Sequence, residues 1–148
     1  MIYLDSSALL DLYLKRPRYV DIQNKLIERA EPFVISQLAE IEFHSVLGRL
    51  VYQKSISIYT RNEVLQTLSI DCDLGAARID KSIDFSEIIK FAIRLTKKPK
   101  YKAKTMDTLH VASAVLLGAD LFIGFDADQS ELAEAEGLNV LKIRVGGI

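Results

Sequence analysis

Three times in this chain a short apolar run ends on a polar residue and passes straight into helical spacing. Ile2, Tyr3 and Leu4 lead to Asp5, after which Ala8, Leu9, Leu12 and Tyr13 recur with a helical period. Phe33, Val34 and Ile35 lead to Ser36, a suitable N-cap for a long helix reaching about Tyr52. Leu121 to Phe125 lead to Asp126, and a further helix is expected from about Ser130, with Leu132, Ala133 and Ala135 in it and Gly137 just past its end. Strands with helices between them cannot pair as tight hairpins, so the alternation predicts an α/β fold, a parallel sheet covered by helices on both faces. Ligands of such sheets sit just outside the carboxyl ends of the strands, which makes Asp5 and Asp126 site candidates by position.

The other elements follow from the same periodicities. Val20 to Ala30 reads as a helix bearing Ile22, Leu26 and Ile27, separated from the first by Pro17. Ser55 to Ile79 reads as a helix with Val64, Leu65 and Leu68, then a shorter helical piece through Leu74 to Ala77, then a brief strand around Arg78 to Asp80. Asp84 or Ser82 caps a helix carrying Phe85, Ile88, Ala92 and Leu95, which Pro99 stops. Val140, Leu141 and Ile143 form the last expected strand, and Val145 to Ile148 a mobile tail. Ser6 or Ser7 is the expected N-cap of the first helix. At 148 residues and 49% hydrophobic, the chain is expected to be one domain, 1–148. No apolar run is long enough to span a bilayer and Met1 leads directly into the first strand, so a cytoplasmic protein is expected, with no membrane contact.

Two further acids stand where a carboxylate needs a reason. Asp107 opens a helix in which Leu109, Ala112, Val115 and Leu116 recur until Gly118. Glu42 shares an i, i+4 row with Leu38 and Val46, with Ile41 beside it, and a carboxylate on an apolar stripe is costly unless paired or metal-bound. A glutamate at a boundary position, its head reaching water, is the plainer alternative. Asp5 and Asp126 at strand ends, with Glu42 and Asp107 in the first turns of their helices, can meet on one acidic edge, where mutual repulsion raises pKa values and a hard divalent cation is the natural compensation. Mg²⁺ or Mn²⁺ suits such oxygen donors, whereas one cysteine, Cys72, and two distant histidines offer no zinc site and no internal disulfide. The chemistry expected is metal-assisted attack of water on a phosphoryl group. His110, one turn from Asp107, is read as a hydrogen-bonded structural residue in preference to a general base.

The net charge of −1 carries no nucleic-acid signal, but its distribution does. Lys97, Lys98, Lys100, Lys102 and Lys104 crowd around Tyr101 just before Asp107. Such a run is ordinarily a solvated loop. Beside acids that would otherwise repel a polyanion, Lys98, Lys100, Lys102 and Lys104 can instead hold the phosphates of a nucleic acid. The helices around Leu10 to Tyr13 and Leu47 to Tyr52 are expected to frame a groove for an amphipathic partner segment.

Taken together, IYLDSSALL, SQLAEIEFHSVLGRL and MDTLHVASAVLLGADLFIGFDADQSELAEAEGL resemble, in order and spacing, the motifs of PIN-domain proteins, specifically the VapC toxins of prokaryotic toxin–antitoxin pairs. The resemblance covers nearly the whole chain; about Ser55 to Asp80 matches only in helical character. It implies a three-layer fold with a five-stranded parallel sheet, a Mg²⁺- or Mn²⁺-dependent endoribonuclease, a small antitoxin partner and a homodimer. Carried over by residue, Asp5, Glu42, Asp107 and Asp126 would be the catalytic, metal-binding acids, with Ser7 a supporting hydroxyl. One departure is Gly124, where the family often has Thr or Ser, so one supporting hydrogen bond lacks its donor; Asp128 is placed to share or assume the ligand role of Asp126. Two other classes compete. A PIN-fold protein that has lost catalysis and acts through partner binding is the alternative, and a phosphoacceptor domain is disfavoured because Ser7 stands where a second acid would be needed.

Overall fold

In the computed structural model, which describes residues 1–143, five strands lie in one sheet: β1 (Ile2–Leu4), β2 (Phe33–Ser36), β3 (Ala77–Asp80), β4 (Leu121–Ile123) and β5 (Asn139–Val140). Their spatial order is β3-β2-β1-β4-β5 and every neighbouring pair is parallel. The chain therefore steps outward from β1 to β3 and then crosses back to β4 on the other side of β1. Strand order reverses between β1 and β4, and a crevice opens at such a reversal, beyond the strands' carboxyl ends. Asp5 follows β1 and Asp126 lies shortly past β4, so the topology brings both to that crevice.

Seven helices make the connections: α1 (Ser6–Tyr13), α2 (Tyr19–Arg29), α3 (Gln37–Tyr52), α4 (Ile58–Asp73), α5 (Phe85–Leu95), α6 (Thr105–Leu116) and α7 (Ala127–Ala135). Side chains alternate across a strand, so β1 sends Ile2 and Leu4 to one face and Tyr3 to the other. Ile2 and Leu4 pack with Phe33, Ile35, Leu121 and Ile123 against α1 to α4, where Leu9, Ile22, Phe43, Leu47 and Leu68 are buried. Tyr3 and Phe122 pack against α5 to α7, with Ile88, Val111, Ala112 and Leu132. The result is the three-layer α/β arrangement expected of the sequence. No helix among the described residues is long and apolar enough to cross a membrane.

Several boundaries differ from the expectations, each for a local reason. Leu74 to Ala76 form a turn rather than a helical piece, with Gly75 at φ 78°, and β3 begins at Ala77. α7 starts at Ala127, three residues before Ser130, because Asp126 is itself the N-cap. Asp5, not Ser6 or Ser7, caps α1 by accepting from the Ala8 amide. β5 stops at Val140; Leu141 donates one more bond to the Phe122 carbonyl and Ile143 lies outside the strand. Ile41 is 63% exposed, since the buried stripe of α3 is Ala39, Phe43 and Leu47. The expected tail, Val145 to Ile148, lies outside the described residues.

Candidate active site

The acids are set by the elements that precede them. Asp5 leaves β1 in an extended conformation, its amide donating to the Ile123 carbonyl (3.0 Å), which holds it on the β1–β4 seam. Its Oδ1 accepts from the Ala8 amide (2.8 Å) and from Ser7 Oγ (2.7 Å), so the helix cap and the site candidate are one residue, and Ser7 hydrogen-bonds it as a supporting hydroxyl would. Asp126 repeats the arrangement at α7, its Oδ1 accepting from the Gln129 amide (2.9 Å). Asp107 is the third residue of α6, where the helix N-terminus favours a negative charge. Glu42 stands in the second turn of α3, not the first, and is half-buried.

Of these acids, Asp5 and Asp107 are shifted upward and Glu42 downward. Burial pushes the Asp5 carboxyl up, although His110, the Ala8 amide, Ser7 and Gln129 oppose the shift. Asp107 is pushed up by burial and then by repulsion from Asp126 and Asp5, with Glu42 adding to it. Glu42 goes the other way: burial is the largest single influence and would raise it, but the hydrogen bond and the charge interaction with His110, with a hydrogen bond from Ser6, together outweigh burial and leave it below its usual range. The expectation that mutual repulsion raises the members therefore holds for Asp107 and is corrected for Asp5, which burial raises, and for Glu42, which is lowered.

A linkage between pH and stability follows for the metal-free protein. Raised folded-state pKa values for Asp5 and Asp107 mean that protonation favours the fold, so their contribution is present at pH 4 and lost as pH rises through the shifted values. Glu42, lowered, contributes in the opposite sense, and its stabilisation fades only in stronger acid. Melting in EDTA is expected to show a Tm that declines as pH rises above the ordinary carboxylate range, and a decline that vanishes in the Asp5→Asn/Asp107→Asn double variant. An unchanged slope in that variant would remove these two acids as its source.

Gln129, which closes the Phe-Asp-x-x-Gln run after β4 and was not among the expected site residues, is fully buried in the middle of these acids. Its Nε2 donates to Asp107 Oδ1 (3.3 Å), while its Oε1 finds no hydrogen-bond partner among the described residues. That oxygen lies over Gly124. A Cβ built on Gly124 would run into Gln129 Oε1, Phe122 Cε1 (2.7 Å) and Asp5 Oδ2 (2.8 Å). The missing hydroxyl at position 124 is thus answered by a glutamine amide occupying the same space. The available signal was the spacing of three from Asp126, which turns Gln129 back over the cap.

Other expected site residues are used differently. Asp128 pairs with Lys102 (3.5 Å), which also meets Glu131 (3.1 Å), and Lys98 is tied to Glu136 (2.7 Å). Lys100 and Lys104 are exposed and make no ion pair among the described residues. Arg18 is a further cation near these acids: it stacks over Phe125, the residue before Asp126, 4.5 Å from the ring centre, and reaches Asp11 (3.8 Å). The signal there was weak, because Arg18 lies far from Asp126 in sequence. His110 is buried and hydrogen-bonded on both ring nitrogens, to Tyr3 and Glu42, in keeping with its structural reading.

The donor set suits a hard divalent cation in kind: four carboxylates, with the second oxygens of Asp107 and Asp126 making no hydrogen bond among the described residues. It is more open than a finished site, since no three His, Cys, Asp or Glu side chains among the described residues are grouped closely enough to hold an ion as they stand.

The sequence profile described as PIN domain matches residues 2–135. No curated protein matches the chain. Among solved structures the fold is similar to VapBC2 from Rickettsia felis bound to a promoter DNA fragment, at TM-score 0.65 and 18% identity over 95% of this chain and 98% of that one. It is similar to a toxin–antitoxin complex from Klebsiella pneumoniae, at TM-score 0.64 and 19% identity over 96% and 97%. It also resembles Mycobacterium tuberculosis VapC20, described as a sarcin-ricin loop cleaving toxin, at TM-score 0.62 and 14% identity over 88% and 94%.

Proposed function

The chain belongs to the PIN domain family, and from that premise we propose that it is a Mg²⁺- or Mn²⁺-dependent endoribonuclease, the toxin of a type II toxin–antitoxin pair, formed by one domain, 1–148, and acting in the cytoplasm. The observation that most supports this reading is geometric: Asp5 and Asp126 leave β1 and β4 at the sheet's reversal point, and Gln129, its amide on the Asp126 cap, reaches across to Asp107 (3.3 Å). Asp5, Glu42, Asp107 and Asp126 would hold the ion. When bound, it would lower the pKa of a water and offset charge developing on the phosphoryl oxygens. Asp126, the most exposed of the four, meets the solvent from which the attacking water comes. Ser7 and the Ala8 amide steady Asp5, and Gln129 steadies Asp107.

RNA would be gripped by Lys100 and Lys104, which make no ion pair among the described residues, and by Arg18, whose carboxylate partner, Asp11, is shared with Arg16. Lys98 and Lys102 would contribute less, being neutralised within the chain. An antitoxin would lie in the groove of about 780 Å³ lined by Leu12, Tyr13, Tyr19, Leu26, Ile27 and Val64. That groove runs between α1, α2 and α4, so the residues Leu47 to Tyr52 of the expected groove do not frame it. A homodimer is proposed from the same likeness. The competing reading, a PIN fold kept for partner binding alone, draws on the open spacing of the acids.

Cleavage of a mixed RNA pool by antitoxin-free protein, with Mg²⁺ or Mn²⁺ against EDTA, decides between them. Cuts that need the metal support the nuclease; intact RNA with every divalent ion favours the partner-binding protein. RNA affinity measured in EDTA is expected to fall, and its salt slope to drop by about 1, for each of Lys100→Gln, Lys104→Gln and Arg18→Gln. Lys98→Gln and Lys102→Gln are expected to change the slope far less. Equal losses for all five would show that the internal ion pairs do not matter to RNA binding.

A further inference from the structure

Four elements are joined by one hydrogen-bonded line across the carboxyl end of the sheet. The Ala39 amide donates to Ser36 Oγ (3.1 Å), Ser36 Oγ meets the Tyr3 hydroxyl (2.8 Å), that hydroxyl meets His110 Nδ1 (2.8 Å), and His110 Nε2 reaches Glu42 Oε1. Ser36, Tyr3 and His110 are all buried, at 4%, 0% and 2% exposure. Both nitrogens of His110 are therefore spent on the chain and neither faces water, which leaves the ring nothing to offer a substrate or an ion. What it can still do is hold its neighbour.

We propose that His110 is a positioning residue for Glu42, set in place by the Tyr3 and Ser36 hydroxyls. The inference rests on the metal-nuclease reading for its consequence, since Glu42 is one of the four acids assigned there. An ionised carboxylate only accepts hydrogen bonds, so Nε2 must carry the proton it shares with Glu42. Nδ1 faces a hydroxyl, which donates to a bare nitrogen and accepts from a protonated one, so the contact survives either charge state of the ring. Tyr3 is itself fixed, its ring stacked on Phe122 at 5.7 Å and 12°. The orientation of Glu42 is thus inherited from β1 and β2, the middle of the sheet, although Glu42 belongs to a helix on the opposite face. A half-buried glutamate in the second turn of α3 would otherwise spread over several rotamers, and the anchor removes that freedom before any ligand arrives.

The test begins with nitrogen NMR of ¹⁵N-histidine-labelled, metal-free protein at neutral pH. Only His44 and His110 contribute, and His44→Gln assigns them. His110 is expected to show a protonated Nε2 in one fixed state, unlike the exposed His44, and to lose that single state in Tyr3→Phe while the fold melts cooperatively. A bare Nε2, or averaging like that of His44, overturns the proposal. The second measurement is Mn²⁺ affinity by electron paramagnetic resonance. His110→Leu is expected to weaken it about 10–100-fold, and His110→Gln, whose amide can still donate to Glu42, to recover most of the loss. Equal affinity in His110→Leu overturns the proposal. Should the parent protein bind no Mn²⁺, the metal reading fails, and the NMR result still decides whether the anchor exists.

Discussion

Metal-free Asp5→Asn and Asp107→Asn proteins are expected to melt above the parent, by roughly 2–4 °C each at pH 7, while losing at least about 100-fold in metal-dependent RNA cleavage. The two effects have one cause. In the absence of a cation, both carboxyls are held up by burial, and Asp107 also by repulsion from Asp126 and Asp5, so ionising them works against the fold. Asparagine removes that charge and keeps the hydrogen bonds: at position 5 it caps α1 as well as aspartate does, and at position 107 its oxygen still accepts from Gln129 Nε2. Adding Mg²⁺ or Mn²⁺ should reverse the order, stabilising the parent and not the variants. Calorimetry with and without the ion, beside the cleavage assay, reads all of this. Variants that melt below the parent in EDTA would mean that the carboxylates hold the fold together and are not a site held in readiness for a cation.

Gly124→Thr is expected to cost about 1–3 kcal/mol and to disturb the acids rather than supply a supporting hydroxyl. The argument is steric. A Cβ at this position meets Gln129 Oε1, the Phe122 ring at 2.7 Å and Asp5 Oδ2 at 2.8 Å, and all three groups are themselves constrained. Phe122 is fully buried on Tyr3, Gln129 is fully buried with its amide on Asp107, and Asp5 is bound to Ser7 and the Ala8 amide. Whichever yields, a proposed ligand or its support moves. Chemical denaturation gives the stability change, and Mn²⁺ titration the effect on the acids. Gln129→Ala combined with Gly124→Thr should recover part of the loss, because one of the three obstructions is gone; the remaining two keep the recovery incomplete. A Gly124→Thr protein as stable as the parent would show that the cavity over Gly124 is softer than its contacts indicate.

Much of the site was legible because the fold places residues by rule. An acid that follows a buried strand in a parallel sheet emerges at the carboxyl edge whatever its neighbours, and period-2 and period-3.6 patterns locate the strand ends and helix starts. Asp5, Asp107 and Asp126 could be picked out on that basis, and the three-layer fold with them. Glu42 was selected because it interrupts an apolar row, yet the buried stripe of α3 passes beside it through Ala39, Phe43 and Leu47. A helical period gives a face only to within a residue, so a boundary position is indistinguishable from a buried one until the partner helix is in place.

The sequence by itself determined the alternation of elements, the parallel sheet, the carriage of acids to one edge and the presence of a lysine strip before α6. Only the tertiary structure decided which of these groups are spoken for. Lys98 and Lys102 are paired with Glu136, Asp128 and Glu131, Arg18 stacks on Phe125 from the turn before α2, Gln129 fills the space that Gly124 leaves, and His110 ties Glu42 to Tyr3. Each is a contact between residues far apart in the chain or dependent on which way a side chain turns. Local propensity and spacing carry no record of such pairings, because they are settled by packing distances of a few ångströms that exist only once the layers have closed.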